Sequence, residues 1–262
     1  MPIGTFEKEI MLLLAKHRTE ESFVGGATVL NQHPKSPRRS KDVDLFHDTE
    51  TALQTSVAKD IPLLKKEGYE VRTLFSNPSF CRAVVKKTGQ ETKLEWVYDS
   101  AFRFFPVEKD PELGFRLNYW DAATNKVLAG VGRGVIRDYV DLIHLDVSAL
   151  SLGALIWAAA GKDPGLNPHF ICNELSRSHR YSPIDYEALA MDSVDPEAMR
   201  AQWRQALTDA ETLFNEVLTE APLGCLFVNA EGQPKTPDRE SLSYLNPHFG
   251  SIGGCWPRIV GL

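Results

Sequence analysis

The stretch Phe23-Val24-Gly25-Gly26, followed one helix-length later by Ser40-Lys41-Asp42-Val43-Asp44-Leu45-Phe46, decides how this chain is read. A strand has a period of two. Asp42 and Asp44 therefore leave the backbone on one face, and Val43 and Leu45 on the other. Two carboxylates held side by side repel, and crowding them is costly unless a cation or a proton shares the site. Mg²⁺ meets that need with oxygen ligands, usually one or two carboxylates plus substrate phosphates. Gly25 and Gly26, placed before a short helix, offer backbone N–H groups and a positive dipole end that suit a phosphate. A phosphate cradle beside metal-binding carboxylates predicts nucleotide chemistry.

The bulk properties narrow the setting. The chain has 262 residues, enough for one large domain or two small ones. Hydrophobic content of 43% and charged content of 24% are those of a folded globular protein. A net charge of −6 does not favour a general nucleic-acid binder, although a local basic patch is compatible with RNA. Cys81, Cys172, Cys225 and Cys255 form no C-x-x-C pair, so neither a disulfide framework nor a zinc site is expected. A reducing, cytoplasmic setting follows. Glu7 and Glu9 precede the first apolar run, which does not suit a signal-peptide n-region. The longest apolar stretch, 150–160, contains Ser151 and Gly153 and is too short to span a bilayer. It reads as a core helix, and no membrane partner is expected.

Periodicity predicts helices over 6–17, 27–32, 50–67, 121–129 and 135–145, and strands over 22–24, 41–46, 69–75, 80–87 and 92–98. The 50–67 helix is expected to break where Asp60 precedes Ile61-Pro62, and Gly68 to end it. Thr88-Gly89-Gln90 signals a hairpin. Asp121 is the expected N-cap of its helix, and Asp195 that of a long helix ending near 219. From about residue 150 the chain becomes helix-rich, with a short apolar strand at 225–228. The expected division is an α/β part carrying the chemistry, 1–149, and a mainly helical part, 150–262.

Further residues gain weight from their neighbours. Glu95 lies opposite Leu94, Trp96 and Tyr98 in strand alternation. It is either a solvated glutamate or a third carboxylate, able to bind a second ion or act as general base. Lys126 is followed by Arg133, Arg137, Asp138 and Asp141. Asp138 and Asp141 share a helix face, and Arg137 is placed four residues before Asp141 to pair with it. That arrangement predicts Asp138 near Lys126 in a cleft, and an exposed Arg137–Asp141 pair. The run 33–41, which includes Arg38, Arg39 and Lys41, is either a solvated loop or a contact for phosphates. Gly130-x-Gly132-x-Gly134 follows no strand and is not a dinucleotide fingerprint.

Taken together, Gly25-Gly26-Ala27-Thr28-Val29-Leu30, Ser40-Lys41-Asp42-Val43-Asp44-Leu45, Ala123-Thr124-Asn125-Lys126-Val127-Leu128-Ala129, and Arg133 with Arg137-Asp138-x-x-Asp141-Leu142 resemble the AbiEii/AbiGii toxin family of nucleotidyltransferases. The resemblance covers roughly residues 20–145. It implies a polymerase-β-like nucleotidyltransferase core with a helical C-terminal half. It also implies Asp42 and Asp44 as metal ligands, Lys126 on the nucleotide phosphates, and Asp138 or Asp141 in support. Members are typically toxins of toxin–antitoxin pairs, and some transfer nucleotides to tRNA 3′ ends. Many nucleotidyltransferases have Gly-Ser where this chain has Gly25-Gly26, which leaves Thr28 to supply a hydroxyl. The third carboxylate is often Asp, and here it would be Glu95.

The leading expectation is a Mg²⁺-dependent enzyme moving a nucleoside monophosphate from an NTP to an acceptor hydroxyl with release of pyrophosphate. The acceptor is tRNA, a protein side chain or a small molecule, and an antitoxin is an expected partner. The expected catalytic set is Asp42, Asp44, Glu95, Lys126 and Asp138, with Gly25, Gly26, Thr28, Arg39 and Lys126 on the nucleotide. A non-catalytic nucleotide- or partner-binding module on the same fold is the alternative. A metal phosphohydrolase would need histidine ligands that are not spaced for it here.

Overall fold

The computed structural model describes residues 3–32, 38, 42–177, 181–187, 189 and 195–258. It divides into two compact units, Met1–Ala101 with Pro106–Ala122, and Phe102–Phe105 with Ala123–Leu262.

The first unit is α/β. In chain order it contains α1 (Thr5–Leu14), β1 (Ser22–Val24), α2 (Gly26–Leu30), β2 (Asp42–His47), α3 (Glu50–Lys66), β3 (Glu70–Asn77), β4 (Phe80–Lys87) and β5 (Gln90–Tyr98). After β6 (Phe102–Arg103), which belongs to the second unit, come β7 (Glu108–Asp110) and β8 (Gly114–Arg116). The seven strands form one mixed sheet in the order β3-β4-β5-β2-β1-β8-β7. β2 runs parallel to β5 and β1 to β8, and the remaining neighbours are antiparallel.

Alternation along the strands makes the sheet two-faced. Val43, Leu45, Cys81, Ala83, Val85, Leu94 and Trp96 enter one core with Phe6, Ile10, Met11 and Leu14 of α1 and Leu53 and Leu64 of α3. Since successive strand residues point oppositely, Asp42 and Asp44 are set on the other face. The hairpin between β4 and β5 turns at Thr88-Gly89, both with positive φ, the geometry of a tight two-residue hairpin loop.

The expected break in α3 does not occur. The helix runs through Pro62 without interruption. Asp60 is fully buried and receives three partners: Arg18 NH2 on Oδ2 at 2.5 Å, Trp96 Nε1 on Oδ2 at 2.9 Å, and His17 Nδ1 on Oδ1 at 2.7 Å. This tie to the sheet and to the turn after α1 holds the helix where local sequence alone predicts an interruption.

The second unit is mainly helical. It takes up α4 (Tyr119–Arg133), which starts in the first unit, then α5 (Ile136–Ser148), α6 (Leu152–Ala159), α7 (Pro168–Arg177), α8 (Pro183–Glu187) and α9 (Pro196–Thr212). β9 (Cys225–Val228) pairs antiparallel with β10 (Asn246–Phe249), and β11 (Ser251–Ile252) with β6. Every residue of α6 is buried, and the helix packs on α9, α7 and β9. Asp195 caps α9 as expected, accepting from the backbone N–H groups of Glu197 and Ala198. Asp121 does not cap α4. Asn118 does, accepting from Trp120 N at 2.9 Å, and the helix continues through Gly130 and Gly132 to Arg133. Among the described residues no single helix is long and apolar enough to cross a membrane.

Candidate functional site

The site is built where β1 turns into α2 against β2. β1 ends at Val24, and the backbone N–H of Gly25 donates to the carbonyl of Asp44 at 3.1 Å. Gly26 has φ +62, a left-handed conformation that a side chain disfavours. Space forbids one as well: a Cβ on Gly26 would stand 2.5 Å from Asp44 Oδ2, and one on Gly25 would stand 2.5 Å from the Phe46 ring. The glycine turn therefore lies directly against the Asp44 carboxylate. No side chain caps the start of α2. The helix has five residues, Gly26–Leu30, where the sequence predicts 27–32, so its dipole is small.

Thr28 is buried, and its hydroxyl donates to the Asp42 carbonyl at 3.4 Å. In this arrangement the hydroxyl braces the strand. Arg39 and Lys41 lie outside the described residues, as does most of the basic run; Arg38 is described and is buried.

Asp42, Asp44 and Phe46 alternate with the fully buried Val43, Leu45 and His47. The parallel pairing of β2 with β5 sets Asp44 beside Glu95 and Asp42 beside Lys93. Glu95 is thus on the same face, one strand away from Asp44, at the spacing of about 4.8 Å that separates neighbouring strands. It is not a solvated glutamate. Arg82 of β4, its antiparallel partner in register, donates from Nε to Glu95 Oε1 at 2.7 Å. The Arg82 guanidinium also lies 5.1 Å from the centre of the Phe80 ring. Sequence reasoning missed Arg82, although the signal was there: stepping back in pairs from the Thr88-Gly89 turn brings it opposite Glu95. Among the described residues no group of three or more His, Cys, Asp or Glu side chains is arranged to hold a metal ion. Asp42 and Asp44 on one face, with Glu95 in register beside Asp44, are oxygen donors of the kind that Mg²⁺ takes.

The second candidate cluster lies in the second unit and is an ion network. Lys126 Nζ sits 2.8 Å from Asp138 Oδ1 and 3.0 Å from Asp141 Oδ2. Arg133 forks onto Asp138, with Nε to Oδ2 at 3.1 Å and NH2 to Oδ1 at 3.0 Å. The Lys126, Asp138 and Asp141 side chains are at most 5% exposed. This corrects the expected division of labour. Asp138 does meet Lys126, but Asp141 is buried and meets it too, so it is not the outer half of an exposed pair. α5 buries this polar stripe alongside Tyr139, Val140 and Leu142, a placement that a hydrophobic period does not reveal.

No protein-family model matches the chain, and no curated protein matches it. Solved structures do. JHP933 from Helicobacter pylori is 17% identical at a TM-score of 0.50, over 83% of this chain and 96% of that one. Another H. pylori structure, provisionally named a nucleotidyltransferase, is 18% identical at a TM-score of 0.49, over 79% and 95%. The MenT4 nucleotidyltransferase toxin of Mycobacterium tuberculosis is 13% identical at a TM-score of 0.45, over 78% and 91%. At these identities the likeness is one of fold alone, and the mixed α/β sheet followed by a mainly helical part is the architecture expected from the sequence.

Proposed function

We propose that this chain is a Mg²⁺-dependent nucleotidyltransferase. The observation that carries the reading is the packing of the Gly25-Gly26 turn onto the Asp44 carboxylate, with Asp42 on the same face and Glu95 in register beside it. Asp42 and Asp44 would hold the ion, with Glu95 as the third carboxylate of the set. Bound there, Mg²⁺ would offset the charge of the triphosphate and ease ionisation of the acceptor hydroxyl. The protein's own part is positional. The glycine turn binds phosphate through backbone N–H groups, and the carboxylates fix the reacting face. The acceptor oxygen attacks the α-phosphorus, its bond forms as the α–β phosphoanhydride bond breaks, and pyrophosphate leaves. The carboxylate cluster takes the proton of the acceptor hydroxyl. Lys126, held between Asp138 and Asp141, is assigned to hold α4 against α5. The tRNA acceptor and a cognate antitoxin rest on the family resemblance.

The second reading is a nucleotide-binding module without chemistry. The inward-turned Thr28 hydroxyl favours it, because the turn then presents no side-chain hydroxyl. Incubation with each α-labelled NTP, Mg²⁺ and total cell RNA separates the two. Transfer of label with stoichiometric pyrophosphate, lost in Asp42→Asn/Asp44→Asn, is the expected result. Nucleotide binding with no pyrophosphate from any NTP would instead identify the module.

A further inference from the structure

Three carboxylates on one sheet face need positive charge, and the structure shows which residue supplies it to one of them. Asp44, Glu95 and Arg82 form a row across β2, β5 and β4, each in register with the next. Arg82 holds Glu95 through Nε at 2.7 Å. The Glu95 side chain is 20% exposed and that of Arg82 is 43%, so the guanidinium sits at the solvent side of the pair with room to leave. The nearby Phe80 ring gives it a second resting surface on its own strand.

We propose that Arg82 is a positioning residue that competes with the divalent ion for Glu95, resting on the assignment of Asp42, Asp44 and Glu95 as the metal set. In the metal-free protein Arg82 keeps the third carboxylate neutralised and turned away. Metal binding at Asp42 and Asp44 draws Glu95 across the row and releases Arg82, whose freed donors then face the phosphates beside the same sheet face. The competition is reciprocal: whatever strengthens the Arg82–Glu95 pair weakens metal binding by the same factor.

Mn²⁺ binding, read from the loss of the free-ion electron paramagnetic resonance signal, tests this without any turnover. Arg82→Gln should tighten Mn²⁺ about two- to five-fold, the range expected for a part-exposed ion pair. Arg82→Lys, which keeps the charge but loses the Nε donor, should fall between. Glu95→Gln should weaken binding, and Arg82→Gln made in that background should change nothing further. Unchanged or weaker Mn²⁺ binding in Arg82→Gln, with binding still dependent on Asp42 and Asp44, overturns the competition and leaves the metal set standing. Mn²⁺ binding indifferent to Asp42→Asn/Asp44→Asn overturns both. Circular dichroism of each variant shows that the fold is kept.

Discussion

At the scale of single residues, burial decides which charges are structural. Lys126 is held between two aspartates that have lost their water, so its removal leaves Asp141 buried without that cation and Asp138 with Arg133 alone. Breaking a buried pair from one side typically costs about 3–5 kcal/mol. Lys126→Ala should therefore lower the urea-unfolding free energy by about that amount, and any loss of triphosphate affinity has to be measured below its own unfolding transition. Asp138→Asn should cost more than Asp141→Asn, since Asp138 binds both Lys126 and Arg133. Equal costs in chemical denaturation would show that the Arg133 fork, whose side chain is 49% exposed, contributes little. The sequence placed Lys126 and Asp138 together because they fall in neighbouring helical segments. It could not bury Asp141, because a charged residue scores as solvent-facing in any periodic pattern until its partner on another helix is known. Gly26 is the opposite case. Its spacing from Asp42 and Asp44 was legible, and the structure adds why no other residue serves: Gly26→Ala would meet both positive φ and the Asp44 carboxylate. That variant should lose nucleotide binding in equilibrium dialysis while remaining folded.

At the scale of elements, β2 carries opposite chemistry on its two faces. Asp42 and Asp44 face the site, while His47, at the other end of the strand, is fully buried with Nδ1 against the Val97 carbonyl at 3.3 Å. Burial, with the charge of Arg18 adding to it, pushes His47 from its ordinary 6.5 down to about 4. The sign follows from linkage. Between about pH 6.5 and 4 the unfolded chain binds a proton at this residue and the folded chain does not, so stability falls as the solution is acidified through that window. A shift of that size corresponds to roughly 3 kcal/mol. Urea unfolding from pH 7 to 4 should show this loss in the native protein, and the slope should flatten in His47→Gln; parallel slopes would remove His47 as the cause. The strands themselves were largely legible. The β4–β5 hairpin, the alternation of β2 and the bounds of β9 all follow from period and turn residues. β6, β7, β8, β10 and β11 were not, because so short a run displays little period; β1, equally short, was legible from the Gly25-Gly26 that ends it. α3 misled for a different reason. Pro62 argued for a break, and the buried bonds from Asp60 to Arg18, His17 and Trp96 overrode it.

At the scale of the whole molecule, the charges proposed for function are a different set from those that hold the first unit's core, and that separation can be measured. The first unit stakes its fold on the apolar face of the sheet and on the buried Asp60 network. Its half-exposed Asp42, Asp44 and Glu95 lie on the other face and contribute no atom to that core. If those carboxylates serve phosphoryl transfer, their removal forfeits several kcal/mol of transition-state stabilisation, on the order of a 10³-fold loss of rate. It should shift the melting temperature by no more than about 2 °C, because half-exposed polar changes outside the core rarely exceed about 0.5 kcal/mol. Asp60→Asn should behave in reverse. It leaves Arg18 buried beside a neutral amide, so it should lower the melting temperature by many degrees, yet the protein that remains folded should retain full activity per molecule. Activity normalised to the folded fraction, measured for Asp42→Asn/Asp44→Asn and for Asp60→Asn at the same temperature, is the deciding comparison. If Asp60→Asn abolishes normalised activity while the double variant retains it, the chemistry belongs to the His17–Asp60 side of the sheet, and the assignment of the aspartate strand fails.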